Sequence, residues 1–234
     1  MEYKNFYLSF IIQEAVVRAD LIQGLAIVSN GRLGPGKDDQ EVSVYSFNEV
    51  VLNALFDKDG KILDLNIDEL EVATPNYDGA DMPQFSGFPG QGGYNYDENH
   101  DGKVEGKTAD SEEQFLAEFD TWKTKRERGE SYKLNSGTWA SEADVFEKLF
   151  VGKTVAEVED WFAKYTDANG RPLQAEAKSD EDKAKFSALS DEEKKMLEDV
   201  RTGATISLKD GHGDFIQAIK NAYENRRPIT LKSE

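Results

Sequence analysis

Cysteine is absent from the 234 residues, which removes disulfides, thiolate metal sites and thiol nucleophiles together. Histidine is nearly absent: only His100 and His212 occur, and neither has a second His or Cys at metal-ligand spacing. Nor is there material for a Ser–His–Asp arrangement. Basic side chains are scarce, 28 against 46 acidic ones, giving a formal charge of −18. That balance argues against nucleic acid, whose phosphates are held by Lys and Arg. The acidity is spread along the chain, so it reads as a solubility device. A long hydrophobic run is missing too. Phe6 to Ile12 is apolar but too short to span a bilayer, and it lacks the basic start and small-residue cleavage site of a secretory signal. The chain is therefore expected to be soluble, with any leader or anchor lying outside it. The glycine clusters GRLGPG and GFPGQGG have no Gly-Lys-Ser/Thr and no dinucleotide fingerprint, so they read as tight turns. Gly90 to Tyr94 remains a second-rank candidate for a wall that backbone can bring close to a ring.

What is present is enough apolar material for a packed core: 38% hydrophobic and 11% aromatic residues. Leu21 to Val28 reads as a strand ended by Ser29-Asn30-Gly31. Val42–Phe56 and Lys61–Val72 read as an antiparallel hairpin across Asp57-Lys58-Asp59-Gly60. From Ala73 to Thr108 the texture turns to Pro, Gly, Asn, Asp and Tyr, a long irregular insertion. Its aromatics (Tyr77, Phe85, Phe88, Tyr94 and Tyr96) suit a wall beside a flat ring better than a tether. The remainder reads as helical. Ser111 caps a helix carrying Phe115, Leu116, Phe119 and Trp122. Ser141 opens a second, with Val145, Phe146 and Leu149. Thr154 and Ser190 open two more with Glu157 and Glu193 at capping-box spacing, the latter helix running through Leu197. A last helix starts near Asp214. The expectation is an α+β fold, an antiparallel β-sheet packed with several helices, forming a single domain over residues 1–234.

The segment that carries chemistry is Asp199-Val200-Arg201-Thr202-Gly203-Ala204-Thr205. From the residues alone it is a small, polar turn between two helices. Gly203 and Ala204 leave the Thr205 hydroxyl accessible, upstream of a helix whose free N–H groups favour an anion. DVRTGAT also resembles the flavinylation motif Asp-x-x-Ser/Thr-Gly-Ala-Thr of the FMN-binding domain family. That family includes flavin-carrying subunits of the sodium-pumping quinone reductase and Rnf complexes, and Gram-positive surface lipoproteins. GLAIVSNGRLGPGKDD, NALFDKDGKILDLNIDELEVATPNYDG, FSGFPGQGGYN and FVGKTVAEVEDWF resemble segments of its lipoprotein-like branch.

The resemblance implies covalent FMN, placed by an FAD:protein FMN transferase that uses FAD and a divalent metal. It makes Asp199 the leading acid, Thr202, Gly203 and Ala204 the approach, and Thr205 the acceptor of the phosphoester. It also implies an extracytoplasmic electron carrier fed by a membrane-associated donor. One departure stands out: Leu208 to Gly213 separates the motif from the next helix, where respiratory-complex members begin that helix almost directly.

His212, seven residues beyond Thr205, is the remaining candidate to approach a flavin, against the default of an exposed loop histidine. Asp97 to Thr108 places oxygen ligands as in an EF-hand loop, but Thr108 stands where the bidentate Glu belongs, so weak calcium binding or none is expected. Trp122, Trp139 and Trp161 read as core, with one available to stack on a ring. Lys123, Lys125, Arg126 and Arg128 form a basic island read as a solvated helix face. The competing function is a non-redox surface binding module, calcium-stabilised, with an unmodified motif.

Overall fold

The computed structural model describes residues 21–39, 41–77, 82–89 and 111–229. Three long strands, β1 (Ile22–Lys37), β2 (Ser43–Phe56) and β3 (Ile62–Ala73), form an antiparallel meander. A two-residue strand pairs on the outer edge of β1, giving the order β3-β2-β1 and then Arg227–Pro228. The expected hairpin is there, with Phe56 opposite Ile62 and Phe47 opposite Val72. Its turn is set by Asp57, whose Oδ1 accepts from the N–H of Asp59 and of Lys61 at 2.9 and 2.8 Å, and by Gly60 at φ 82°. The first strand is longer than its local sequence suggests. Asn30 and Gly31 pair with Asn48 and Phe47 and the ladder continues to Leu33. Partner-strand hydrogen bonds outweigh the turn preference of Ser29-Asn30-Gly31.

Along β2, Val44, Ser46, Asn48, Val50, Leu52, Ala54 and Phe56 all point inward. A helical layer covers that face. The final helix, Phe215–Glu224, lies on β1 and β2, while α3 (Trp139–Phe150) and α2 (Lys125–Arg128) lie on β3. Against α3 packs α6 (Asp191–Gly203), and α4 (Val155–Tyr165) packs on the final helix, α7. Phe146, Phe150, Leu52 and Ile219 are fully buried between the layers, each contributing about 1.5–3 kcal/mol. The approach is tightest at Gly24, where any Cβ would strike the carbonyl oxygen of Ala222 in α7. On the opposite face Leu25, Ile27, Val51 and Leu63 are exposed. The fold is α+β, as expected.

Caps fall where hydroxyls and carboxylates precede apolar stripes. Ser111 caps α1 (Glu112–Asp120), Thr154 and Ser190 form capping boxes with Glu157 and Glu193, and Asp214 caps α7. Two boundaries differ from expectation. Thr138, not Ser141, caps α3, because the Thr138 hydroxyl accepts from the Ser141 N–H at 3.1 Å. Helix α6 runs on to Gly203 instead of ending at Leu197. One short helix escaped the sequence reading, α5 (Asp180–Ser187), capped by Ser179, while the basic island read as a helix face is the separate short helix α2, boxed by Thr124 and Glu127.

Of the insertion, residues 82–89 dock on α1. Phe85 packs edge-on against Phe88, Phe119 and Trp122, and Trp122 Nε1 donates to the Gln84 carbonyl at 2.9 Å. Gly90 to Tyr94, His100 and the Asp97–Thr108 loop lie outside the described residues. Among the described residues no helix is long and apolar enough to cross a membrane.

Candidate functional site

The motif is mostly helical, which corrects its reading as a turn. Asp199 to Gly203 make the last turn of α6, held down by buried Leu197 and Val200. Asp199 is exposed, and its carbonyl accepts from the Thr202 hydroxyl at 2.7 Å. Gly203 is small for packing rather than for access: a Cβ there would lie 2.8 Å from Val145 Cγ2 of α3. Ala204 is fully buried and leaves the helix in extended conformation at φ −150°. Together these two residues press the end of α6 against α3 and deliver Thr205 to one side chain on that helix, Glu142.

Glu142 has no solvent exposure. Its Oε2 accepts from the Thr205 N–H at 2.6 Å, the Thr205 hydroxyl at 3.0 Å and the Ile206 N–H at 3.0 Å. Its Oε1 accepts from the Ser136 N–H at 3.2 Å. The N–H groups beside the hydroxyl are thus those of Thr205 and its neighbour Ile206, and they are engaged. The N-terminus of α7 lies nine residues on and is capped by Asp214, which accepts from the Gln217 N–H at 2.8 Å.

Beyond Thr205 the chain threads under the turn that follows α4. Ser207 donates its hydroxyl proton to the Asn169 carbonyl, and the Leu208 N–H donates to the Gly170 carbonyl at 2.9 Å. Gly170, at φ 72°, is required: a Cβ would sit 2.6 Å from the Lys209 carbonyl oxygen. This crossing separates two hollows. Thr205 opens onto a cleft of about 440 Å³ whose walls hold three cations, Arg171, Lys178 and Arg201, against two carboxylates, Asp167 and Asp182, with Asn135 and Gln174 beside them. Ile206 and Ser207 border a smaller cavity of about 110 Å³, lined by Glu69, Lys125, Tyr132, Trp139, His212 and Phe215. Arg171 borders both. Among the described residues of the insertion, 73–77 and 82–89 line neither hollow.

The smaller cavity sits on a buried ionic cluster. Lys125 Nζ lies 2.6 Å from Glu69 Oε1 and 3.2 Å from Glu71 Oε2, all three side chains being at most 3% exposed. Arg32 reaches Glu71 at 3.0 Å. Burial pushes the Glu69 carboxyl up against the pull of Lys125. For Glu71 burial also acts upward, but Lys125, His212 and Arg32 overcome it and its carboxyl lies below its ordinary value. Burial would lower the Lys125 ammonium, yet Glu69 and Glu71 hold it above its ordinary value. Burial raises the Tyr132 phenol. His212 is half-buried here, its Nδ1 3.0 Å from Asp210 Oδ1. The Asp210 carboxyl resists the upward effect of burial and lies low because the His212 ring and backbone N–H both contact it.

The basic island is therefore not a solvated face. Lys123 is exposed, but Lys125 and Arg128 are buried, and the Arg128 guanidinium lies 4.2 Å from the Tyr132 ring centroid. Arg126 bridges to Asp144 and Glu147 of α3 at 2.8 and 2.5 Å. The cause is β3, whose inward positions carry Glu69 and Glu71 and draw the cations of α2 down onto the sheet.

Sequence reasoning passed over Glu69, Glu71, Glu142, Arg171 and Arg201. Three of them left a signal. Glu69 and Glu71 continue the inward alternation of Leu65 and Ile67, and Glu142 interrupts the stripe Trp139, Ala143, Phe146 and Phe150. Trp139 is the tryptophan at the cavity; Trp161 is core, stacked edge-on against Phe150. Among the described residues no three His, Asp or Glu side chains are placed to hold a metal ion.

No family model matches the sequence, and no solved structure matches it. The family resemblance therefore rests on the motif and the segments quoted for it. Among curated proteins, the chain is 37% identical over 219 residues to the chlorophenol reductase of Desulfitobacterium hafniense, an alignment that takes in 89% of this chain and 59% of that longer protein.

Proposed function

We propose that this chain is an electron-transfer flavoprotein domain carrying FMN esterified to Thr205. The observation that carries the reading is the setting of Thr205 within DVRTGAT: a half-buried hydroxyl opening onto a cleft with Arg171, Lys178 and Arg201 in its walls. Guanidinium and ammonium groups suit a phosphate diester. Asn135 and Gln174 offer hydrogen bonds to a polyol chain. Tyr132, Trp139 and Phe215 offer aromatic surface in the adjoining cavity, which at about 110 Å³ is too small to enclose a tricyclic ring. The cleft carries the fit. A redox role is supported by the name of the similar protein, a reductase.

The flavin would supply the electron chemistry. The chain's part is to hold the phosphate, shield one side of the ring system, and present Lys125, Glu69 and His212 as the polar groups nearest that aromatic surface. Asp199, exposed at the end of α6, suits recognition by the FAD:protein FMN transferase. The domain would work outside the cytoplasm, fed by a membrane-associated donor.

Incubation with such a transferase, FAD and Mg²⁺ tests the reading. Wild-type protein should turn yellow and gain the mass of one FMN less water, on the peptide containing Thr202 to Lys209. Thr205→Ala should stay colourless. Flavin that persists in Thr205→Ala on Thr202 or Ser207 moves the site. A folded wild-type protein that takes up no flavin overturns the reading in favour of a non-redox surface module.

A further inference from the structure

Two threonines lie within the motif, and they are treated differently. Thr202 is exposed and spends its hydroxyl on its own helix, at the Asp199 carbonyl. Thr205 directs its hydroxyl at a carboxylate with no solvent exposure, 3.0 Å away. That carboxylate cannot swing aside, because the N–H groups of Thr205, Ile206 and Ser136 also depend on it. With its hydrogen directed inward to Glu142, Thr205 Oγ1 has its remaining lone pairs free for the cleft that holds Arg171, Lys178 and Arg201.

We propose that Glu142 is the general base for the loading of Thr205, an inference that rests on the flavin reading above. The co-reactant is a flavin dinucleotide. As Oγ1 bonds to the phosphorus that bears riboflavin, the hydroxyl proton passes to Glu142 Oε2. The pyrophosphate P–O bond breaks, and adenosine monophosphate leaves with the bridging oxygen and its electron pair. Nothing is oxidised or reduced. The protonated carboxyl then becomes a donor toward the new ester, so a buried carboxylate and a phosphate charge do not face each other. The cations across the cleft offset the charge on the transferring phosphoryl group. The acceptor protein thus contributes a catalytic group to its own modification.

The test compares wild type, Glu142→Gln and Glu142→Asp, each incubated with transferase, flavin dinucleotide and Mg²⁺. The readouts are the initial rate of mass gain at Thr205, the melting transition, and amide exchange at Thr205 and Ile206. Glutamine keeps a carbonyl oxygen for the two N–H groups but takes no proton. It should preserve protection at both amides while lowering the rate about 10²-fold or more, the range of general-base contributions. Aspartate keeps the carboxylate on a shorter arm and should fall between glutamine and wild type. A folded Glu142→Gln that is labelled at the wild-type rate overturns the proposal and leaves the flavin reading standing. Should Glu142→Gln not fold, Glu142→Asp decides: a rate at least about tenfold lower with an intact melting transition supports the base, and an unchanged rate overturns it. Wild type that stays unlabelled removes the flavin reading itself, and this inference with it.

Discussion

Glu142 and Glu69 both bury a carboxylate beside the segment that follows α6, and they are satisfied in opposite ways. Glu142 is held by four donors, three of them backbone N–H groups and the fourth the Thr205 hydroxyl. Glu69 is held by an ammonium at 2.6 Å, which also serves Glu71. Backbone donors are fixed by the fold and carry no net charge. A carboxylate they satisfy can exchange its fourth partner, the Thr205 hydroxyl, without dismantling an ion pair. The Glu69–Lys125–Glu71 cluster is locked by comparison, since removing any member strands charge in a dry interior. One arrangement suits a group that must take part in chemistry, the other a group that must stay as it is.

The largest expected effect comes from the locked cluster. Lys125→Met should destabilise the fold by about 3–5 kcal/mol in urea titration, because Glu69 and Glu71 lose their shared partner. A loss well under 1 kcal/mol would erase the distinction between the two sites. Glu142→Ala comes next. Stripping the acceptor from the Thr205, Ile206 and Ser136 N–H groups should cost about 1–3 kcal/mol, with amide protection lost first at residues 205 and 206. Protection lost evenly across the domain would mean that Glu142 holds the whole core rather than the motif.

A smaller, pH-dependent effect is expected at the edge of the cluster. Asp210 has a folded-state pKa below its ordinary 3.8. Its contribution to stability is thus complete above that value and is lost as pH falls through the lowered one. Asp210→Asn should be less stable than wild type at neutral pH, and the two melting curves should converge in acid. Parallel curves across that range would show that Asp210 acts through shape alone. The smallest net effect is predicted for Gly203→Ala, where two terms of about 1 kcal/mol oppose each other: better helix propensity, and crowding of Val145. Stability should stay within about 1 kcal/mol of wild type, while the crowding should move Thr205 off Glu142, read as faster exchange at the Thr205 amide. Unaltered exchange would show that α3 yields and the motif does not depend on that approach.

Much of the frame was legible because it depends on local rules. Alternation marked β2 and β3, Asp57 and Gly60 marked their turn, and Thr154 with Glu157 and Ser190 with Glu193 marked helix starts. What escaped needed a partner distant in the chain. Ser29-Asn30-Gly31 becomes strand only opposite β2. Lys125 is solvated until β3 offers Glu69, 56 residues earlier. The small residues of the motif suggested access, whereas the surface of α3 uses them for contact. Glu69, Glu71 and Glu142 each occupied an apolar position in a regular pattern. Acids in such places mark buried polar sites more sharply than the charge-rich stretches that drew attention first.

The bond between Thr205 and Glu142 joins residues 63 apart in sequence. It therefore exists only once α3 and α6 have both been synthesised and have docked. A nascent or unfolded chain displays the same seven motif letters without the carboxylate that completes the acceptor. Under the proposed chemistry, biogenesis then has a fixed order, folding first and loading second, and a yellow molecule is one that has already passed a folding checkpoint.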